Sequence, residues 1–123
     1  MIAPGTVRRI ALSLPEAEDR STAAALHFYV CGKHFAWSYL ERVGEKGPRA
    51  PRLDVLAVRC AAEEKESILA SDARKFFTTD HYRGFPAVLV RLDQVDEREL
   101  RGLLMAAWRC QAPRSLAKRL PQS

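Results

Sequence analysis

The sequence predicts an α+β fold: a two-layer sandwich of one antiparallel sheet with helices on one face, in the order α-β-β-β-α-β-β-α(-α). Three observations predict it. Short apolar runs with period-two alternation are joined by connections too short for a crossover helix, which implies antiparallel pairing. Helical periodicity is confined to the two ends and one central segment. Hairpins and helices in this arrangement pack as two layers. The 123 residues, 47% apolar and 28% charged, suffice for a single domain spanning 1–123.

Each element follows from its residues. Thr6 can cap a first helix in which Val7, Ile10, Ala11 and Leu14 form one apolar face, with Pro15 ending it. EAEDRSTAA reads as a polar connection. LHFYV and HFAWSYL are strands separated by Cys31-Gly32-Lys33, a hairpin turn. Leu26, Phe28 and Val30 are expected to face the helices. Phe35, Trp37 and Tyr39 share a face by alternation. If that face meets the helices it is core. If it is open, it is a stacking platform for unpaired bases, with Lys33 beside it.

ERVGEKGPRAPR reads as a long loop, and 54–60 as the third strand. Residues 61–71 form a helix with Glu63 and Glu64 at its positive end. Residues 75–79 and 87–92 form two more strands. The last long helix opens at Asp96 with Glu99 three residues on, a capping-box pattern. Leu100, Leu103, Leu104, Ala107 and Trp108 make its apolar face, and a short basic helix follows Pro113.

Three cysteines, Cys31, Cys60 and Cys110, are odd in number and widely spaced. That argues against a disulfide framework and a zinc site, and for reduced thiols in the cytoplasm. His27, His34 and His81 lack metal-ligand spacing. No Gly-rich phosphate loop, HExxH or GxSxG occurs, so neither cofactor nor metal is expected. No apolar run reaches the roughly 20 residues of a membrane helix.

Charge is uneven. The formal net charge is +5. The residues up to Glu97 carry 14 bases and 14 acids, so the whole excess lies in the last 26 residues. A localised basic surface suits a polyanion, and a solvated charged tail accounts for the excess equally well. Arg98, Arg101 and Arg109 fall on one arc of the last long helix, away from its apolar face.

Three strings, LSLPEAEDR, FYVCGKHFAW and KFFTTDHYRGFPAVLVRLDQVDERELRGLL, resemble the MmcQ/YjbR family of small bacterial proteins. In that family a helix ending in an LPG.EE-like string leads into an F.V.GK.FA hairpin. A strand, an HY pair near a turn, an apolar strand and an acid-capped helix follow. Here Glu16 stands after Pro15 where the common pattern has glycine, a departure that bears on the local turn. The resemblance implies a fold like that of the bacterial frataxin homologue and of type III secretion chaperones. It also implies DNA binding through a double wing of two projecting loops.

The segments that match the wings are the long loop, with Arg42, Lys46, Arg49 and Arg52, and the turn carrying Arg83. Cations there can neutralise phosphates without reading bases, although Glu41 and Glu45 offset part of the charge. The function expected is DNA binding of low sequence specificity. The alternative is a chaperone-like module that takes a protein partner on an exposed sheet face or helix groove. An imidazole at His81 could act as a general base only with a nucleophile, metal or polarising partner. The sequence supplies none, so no catalytic residue is expected. His81 and Tyr82 are expected to hold the turn or to meet a ligand.

Overall fold

The computed structural model describes residues 1–42 and 47–120, the side chain of Arg42 excepted. Its elements are α1 (Pro4–Leu12), β1 (Ala17–Asp19), β2 (His27–Val30), β3 (Lys33–Arg42), β4 (Arg49–Arg59), α2 (Lys65–Ser71), β5 (Phe76–Phe77), β6 (Ala87–Arg91), α3 (Glu97–Gln111) and α4 (Arg114–Ala117). The six strands form one sheet in the order β1-β2-β3-β4-β6-β5, and every pair is antiparallel. The fold is α+β, as the sequence predicts.

The first face of the sheet carries the main core. Leu26, Phe28 and Val30 point into it, joined by Leu56, Val58, Val88 and Val90. Val7 and Ile10 of α1 and Leu100, Leu104 and Trp108 of α3 close over them. Burying each large side chain stabilises the fold by roughly 1.5–3 kcal/mol. Trp108 is fully buried, and its indole N–H donates to the carbonyl of Pro15 at 2.9 Å. Asp96 and Glu99 make the capping box of α3.

The β2–β3 turn is tighter than the sequence suggests. Val30 pairs with Lys33, leaving Cys31 (φ 48°) and Gly32 (φ 78°) as a two-residue loop with both residues left-handed. That geometry matches the twist of the flanking strands.

Several boundaries differ from the sequence reading. Thr6 lies inside α1, which starts at Pro4 with Ala3 as its cap, because a proline suits the first helical position. Part of the polar connection, Ala17–Asp19, is an edge strand against β2. An edge position demands only alternate packing, so its acidic sequence did not betray it. Arg49–Arg52 belong to β4, paired with Tyr39–Arg42, rather than to a loop. The segment from Ala61 starts as a single 3-10 turn, Ala62–Glu64, before α2. The expected strand at 75–79 shrinks to Phe76–Phe77.

The alternation in β3 also fails. Phe28 pairs with Ala36 and Tyr29 with His34, so Phe35 is an extra residue in the ladder. This bulge turns Phe35 into the helix-side core, where it is fully buried. Trp37 and Tyr39 stay on the other face. A bulge shifts the period by one residue, which simple alternation cannot register.

Candidate functional site

Among the described residues no α-helix covers the second face of the sheet, and it holds the chemically varied residues. Strand register lines up a row across it: His27 pairs with Trp37, Trp37 with Ala57, Ala57 with Leu89, and Leu89 with Phe77. The small residues Ala57 and Ala87 leave a hollow in the middle of this row. Tyr82, from the 3-10 turn Asp80–Tyr82, fills it and packs on Val55, Ala57 and Leu89.

Two contacts hold that turn down. The indole N–H of Trp37 donates to the Tyr82 hydroxyl at 3.0 Å. The ammonium of Lys65, at the start of α2, donates to the carbonyls of Tyr82 (2.5 Å) and Phe85 (2.6 Å). Lys65 is buried to 9% exposure, and burial pushes its pKa down. Its two carbonyl partners meet the need of a buried charge for hydrogen bonds. Burial likewise raises the pKa of the Tyr82 hydroxyl.

At the β1–β3 side the rings stack on one another. Tyr29 and His34 lie 4.4 Å apart at 8°, and His34 and Trp37 lie 4.2 Å apart. His27 Nδ1 and His34 Nε2 are 3.3 Å apart, so one of them carries the shared proton. Burial, then His27, then Arg59 lower the pKa of His34 from 6.5 to about 4. The ring is therefore neutral at pH 7. Arg20 lies 4.4 Å over Tyr29 and binds Glu18. These rings are half-buried and stacked on one another, so neither a buried core nor a free stacking platform describes the run.

Two further arginines lie over rings. The guanidinium of Arg59 sits 4.9 Å over Phe85, and that of Arg91 sits 4.0 Å over Phe77. Among the described residues Arg59 Nε and Arg91 Nη1 are buried without a hydrogen-bond partner, as is Thr79 Oγ1. A guanidinium held over a ring face gains cation–π attraction while its outer donors stay available.

The residues singled out from sequence scatter across the molecule. Lys46 and the side chain of Arg42 lie outside the described residues. Arg49 is exposed on β4 and donates to the Leu40 carbonyl at 3.4 Å. Arg52 is bound on both sides, by Asp54 at 2.5 Å and Glu41 at 3.3 Å; its hydrogen bond to Asp54 lowers that carboxyl's pKa. Arg83 pairs with Asp80 at 2.7 Å. Lys33 is exposed beside the β2–β3 turn. Arg98 and Arg101 are exposed on α3, in the helix layer, and Arg109 is half-buried on the same helix.

Of the named residues, Trp37, Tyr82 and His81 meet. His81 is exposed and sets its ring edge-on to Tyr82 at 5.3 Å. Lys65, Arg59, Arg91 and Phe85 escaped the sequence reading, and His34 entered it only as a metal-ligand candidate to be set aside. The alternation of LAVRC and AVLVR, which places Arg59 and Arg91 on one face with small alanines between, was the signal available for two of them.

Comparison with known proteins agrees with this architecture. A family model, YjbR, matches residues 12–110. Uncharacterized protein Rv2570 of Mycobacterium tuberculosis and Uncharacterized protein Mb2600 of Mycobacterium bovis are each 38% identical over 79 residues, 63% of this chain. The chain spans 61% of the length of these relatives. Among solved structures, Deinococcus radiodurans protein DR2400, family-model domain DUF419, matches with a TM-score of 0.64 at 18% identity, covering 88% of this chain and 77% of that one. At that identity the likeness is one of fold.

Proposed function

The chain belongs to the YjbR family, and from that premise we propose that it binds nucleic acid with low sequence specificity on the second face of the sheet. The observation that carries this reading is the pair Arg59 and Arg91, each over a ring and, among the described residues, within ion-pair distance of no carboxylate, with the charge of Arg91 acting on Asp54 only from further off. Arg52 and Arg83, by contrast, are neutralised by their own neighbours. Arg59 and Arg91 stand four residues apart along adjacent strands, since Arg59 pairs with Ala87 and Val55 with Arg91. At roughly 3.3 Å per residue they are about 13 Å apart along the strand direction, a spacing that suits two phosphates of one backbone. Arg49, whose charge acts on the Tyr82 hydroxyl, extends the positive surface at its margin. Contacts of this kind position a protein on a nucleic acid without reading its bases.

Fluorescence anisotropy with two unrelated duplexes across a salt series tests the reading. Both duplexes should bind alike, and each phosphate neutralised should contribute about −0.9 to the slope of log K against log salt. Replacing Arg59 and Arg91 together by alanine should make the slope shallower by about 1.8. Absence of binding at low salt, where electrostatic attraction is greatest, would eliminate it.

A protein partner is the second reading. It is favoured by Leu40 and Leu53, which are 41% and 39% exposed on the β3–β4 arm.

A further inference from the structure

Between the Ala62–Ser71 helical segment and the turn at 78–86 lies an open cleft of about 360 Å³. That is the small end of the roughly 300–1,000 Å³ range of ligand sites. We propose that this cleft receives one unpaired nucleobase of a single strand. The inference rests on the nucleic-acid reading above and names the strand class that reading leaves open.

The walls fit a flat, partly apolar ring. Phe85 and Pro86 come from the turn, and Leu69 and Ala62 from the helical segment. Phe85 is 39% exposed, and the Arg59 guanidinium lies over its ring. Unpaired bases stack on such aromatic and guanidinium surfaces. The wall is also held in place, because Lys65 binds the carbonyls of Tyr82 and Phe85. A base entering the cleft meets a set surface rather than ordering one.

The charges sort the bases. Glu63 and Glu66 line the cleft on the helical side, and Arg83 on the other. A carboxylate accepts from an exocyclic amino group, which cytosine and adenine carry and thymine lacks. Thymine would instead present carbonyl oxygens to those carboxylates. Arg83 is held by Asp80 and completes the opposite wall without adding net charge. A base inside a duplex cannot enter without being unstacked and unpaired.

The test uses fluorescence anisotropy at low salt with labelled oligo-dC, oligo-dT and a duplex. The variants are Phe85→Ala, Glu63→Gln with Glu66→Gln, and Ala62→Trp, which fills the cleft from an exposed position. Wild type is expected to bind oligo-dC several-fold more tightly than oligo-dT. Phe85→Ala should weaken oligo-dC binding about tenfold, the loss of one base–aromatic stack, and, because Phe85 also supports Arg59, should weaken the duplex to a smaller extent. Ala62→Trp should weaken oligo-dC binding likewise and leave the duplex unchanged, and the double glutamine variant should abolish the preference for dC over dT. Circular dichroism confirms that each variant is folded. Equal loss for duplex and single strand with Ala62→Trp, or no loss of single-strand binding with it, would overturn the cleft as a base site while leaving the nucleic-acid reading intact. Failure of every oligonucleotide to bind would remove both.

Discussion

Alternate residues of the same strands build two different surfaces. On the helix side, Phe28, Val30, Leu56, Val58 and Val90 meet α1 and α3 in one continuous apolar core. One position along, Trp37, Ala57 and Leu89 meet a single turn through Tyr82, while Tyr29 and Arg91 have a histidine, an arginine or a ring for neighbour. The first surface is held by burial of area, which is non-directional and tolerant of detail. The second is held by individually aimed contacts: Trp37 to Tyr82, Lys65 to two carbonyls, His27 to His34. Stability resides mainly in the first, and chemistry that solvent can reach resides in the second.

The contrast is most exposed to refutation by two tryptophans. Trp108→Ala removes a fully buried ring from the helix side and should cost about 3–5 kcal/mol. Trp37→Ala, on the half-exposed face, should cost about half as much. Urea unfolding of both variants measures the difference, and equal costs would break the comparison.

Lys65→Met comes next. It leaves the carbonyls of Tyr82 and Phe85 without their cation, at a cost of about 1–3 kcal/mol. The loss should be local. Amide exchange should accelerate through residues 80–86, while Val88 and Val90 keep their protection. Unchanged protection at 80–86 would mean that the turn is held by Tyr82 alone.

The pH dependence sharpens the comparison further. His34 has a pKa of about 4 when folded against 6.5 for the free side chain, so between those values the unfolded chain binds a proton that the native chain refuses. Stability from this residue is complete above pH 6.5, falls as the pH drops toward 4, and changes no further below that. The groups facing the ring are His27, Tyr29, Trp37 and Arg59. The fall should be about 2 kcal/mol, below the full linkage value because the ring is only partly shielded from solvent. Chemical unfolding at pH 7 and pH 4.5 should show it in wild type, and His34→Leu should remove that part of it.

The smallest effect concerns the Pro15–Ala17 turn. Glu16 has φ 57°, a left-handed conformation that costs a side-chain-bearing residue about 1–2 kcal/mol. The ion pair of Glu16 with Arg119, at 3.7 Å and well exposed, offsets little of this. Glu16→Gly should therefore raise stability by about 1 kcal/mol, read as a shift of the urea midpoint without a change of slope.

That turn also shows how sequence and structure correspond here. The family pattern has glycine after the proline, and the position does adopt the conformation glycine favours, so the departure at Glu16 marked a real constraint. The hairpin at Gly32, the capping box at Asp96 and the helix-side residues of β2 were legible because each depends on local chemistry. The bulge at Phe35 was not, since it depends on how β2 and β3 settle against α3, where Gln111 donates to the His34 carbonyl at 2.8 Å. Lys65 was hidden for a similar reason. A lysine at the start of a helix reads as solvated, and only the turn 17 residues later makes it an anchor. The candidate site is mostly of this non-local kind. Arg59 lies far along the chain from Phe85 and Arg91, and the antiparallel pairing of β4 with β6 brings it beside them.

The sheet ends in very short strands: β1 has three residues and β5 has two. A strand edge recruits other chains by offering a row of unpaired backbone N–H and C=O groups. At both borders of this sheet that row is brief. On the β1 side it carries the ion pairs Glu18–Arg20 and Asp19–Arg8, solvated groups that a docking strand would have to strip of water. The protein should therefore resist fibril formation even when concentrated, and any assembly it enters should proceed through its faces rather than by lengthening its sheet.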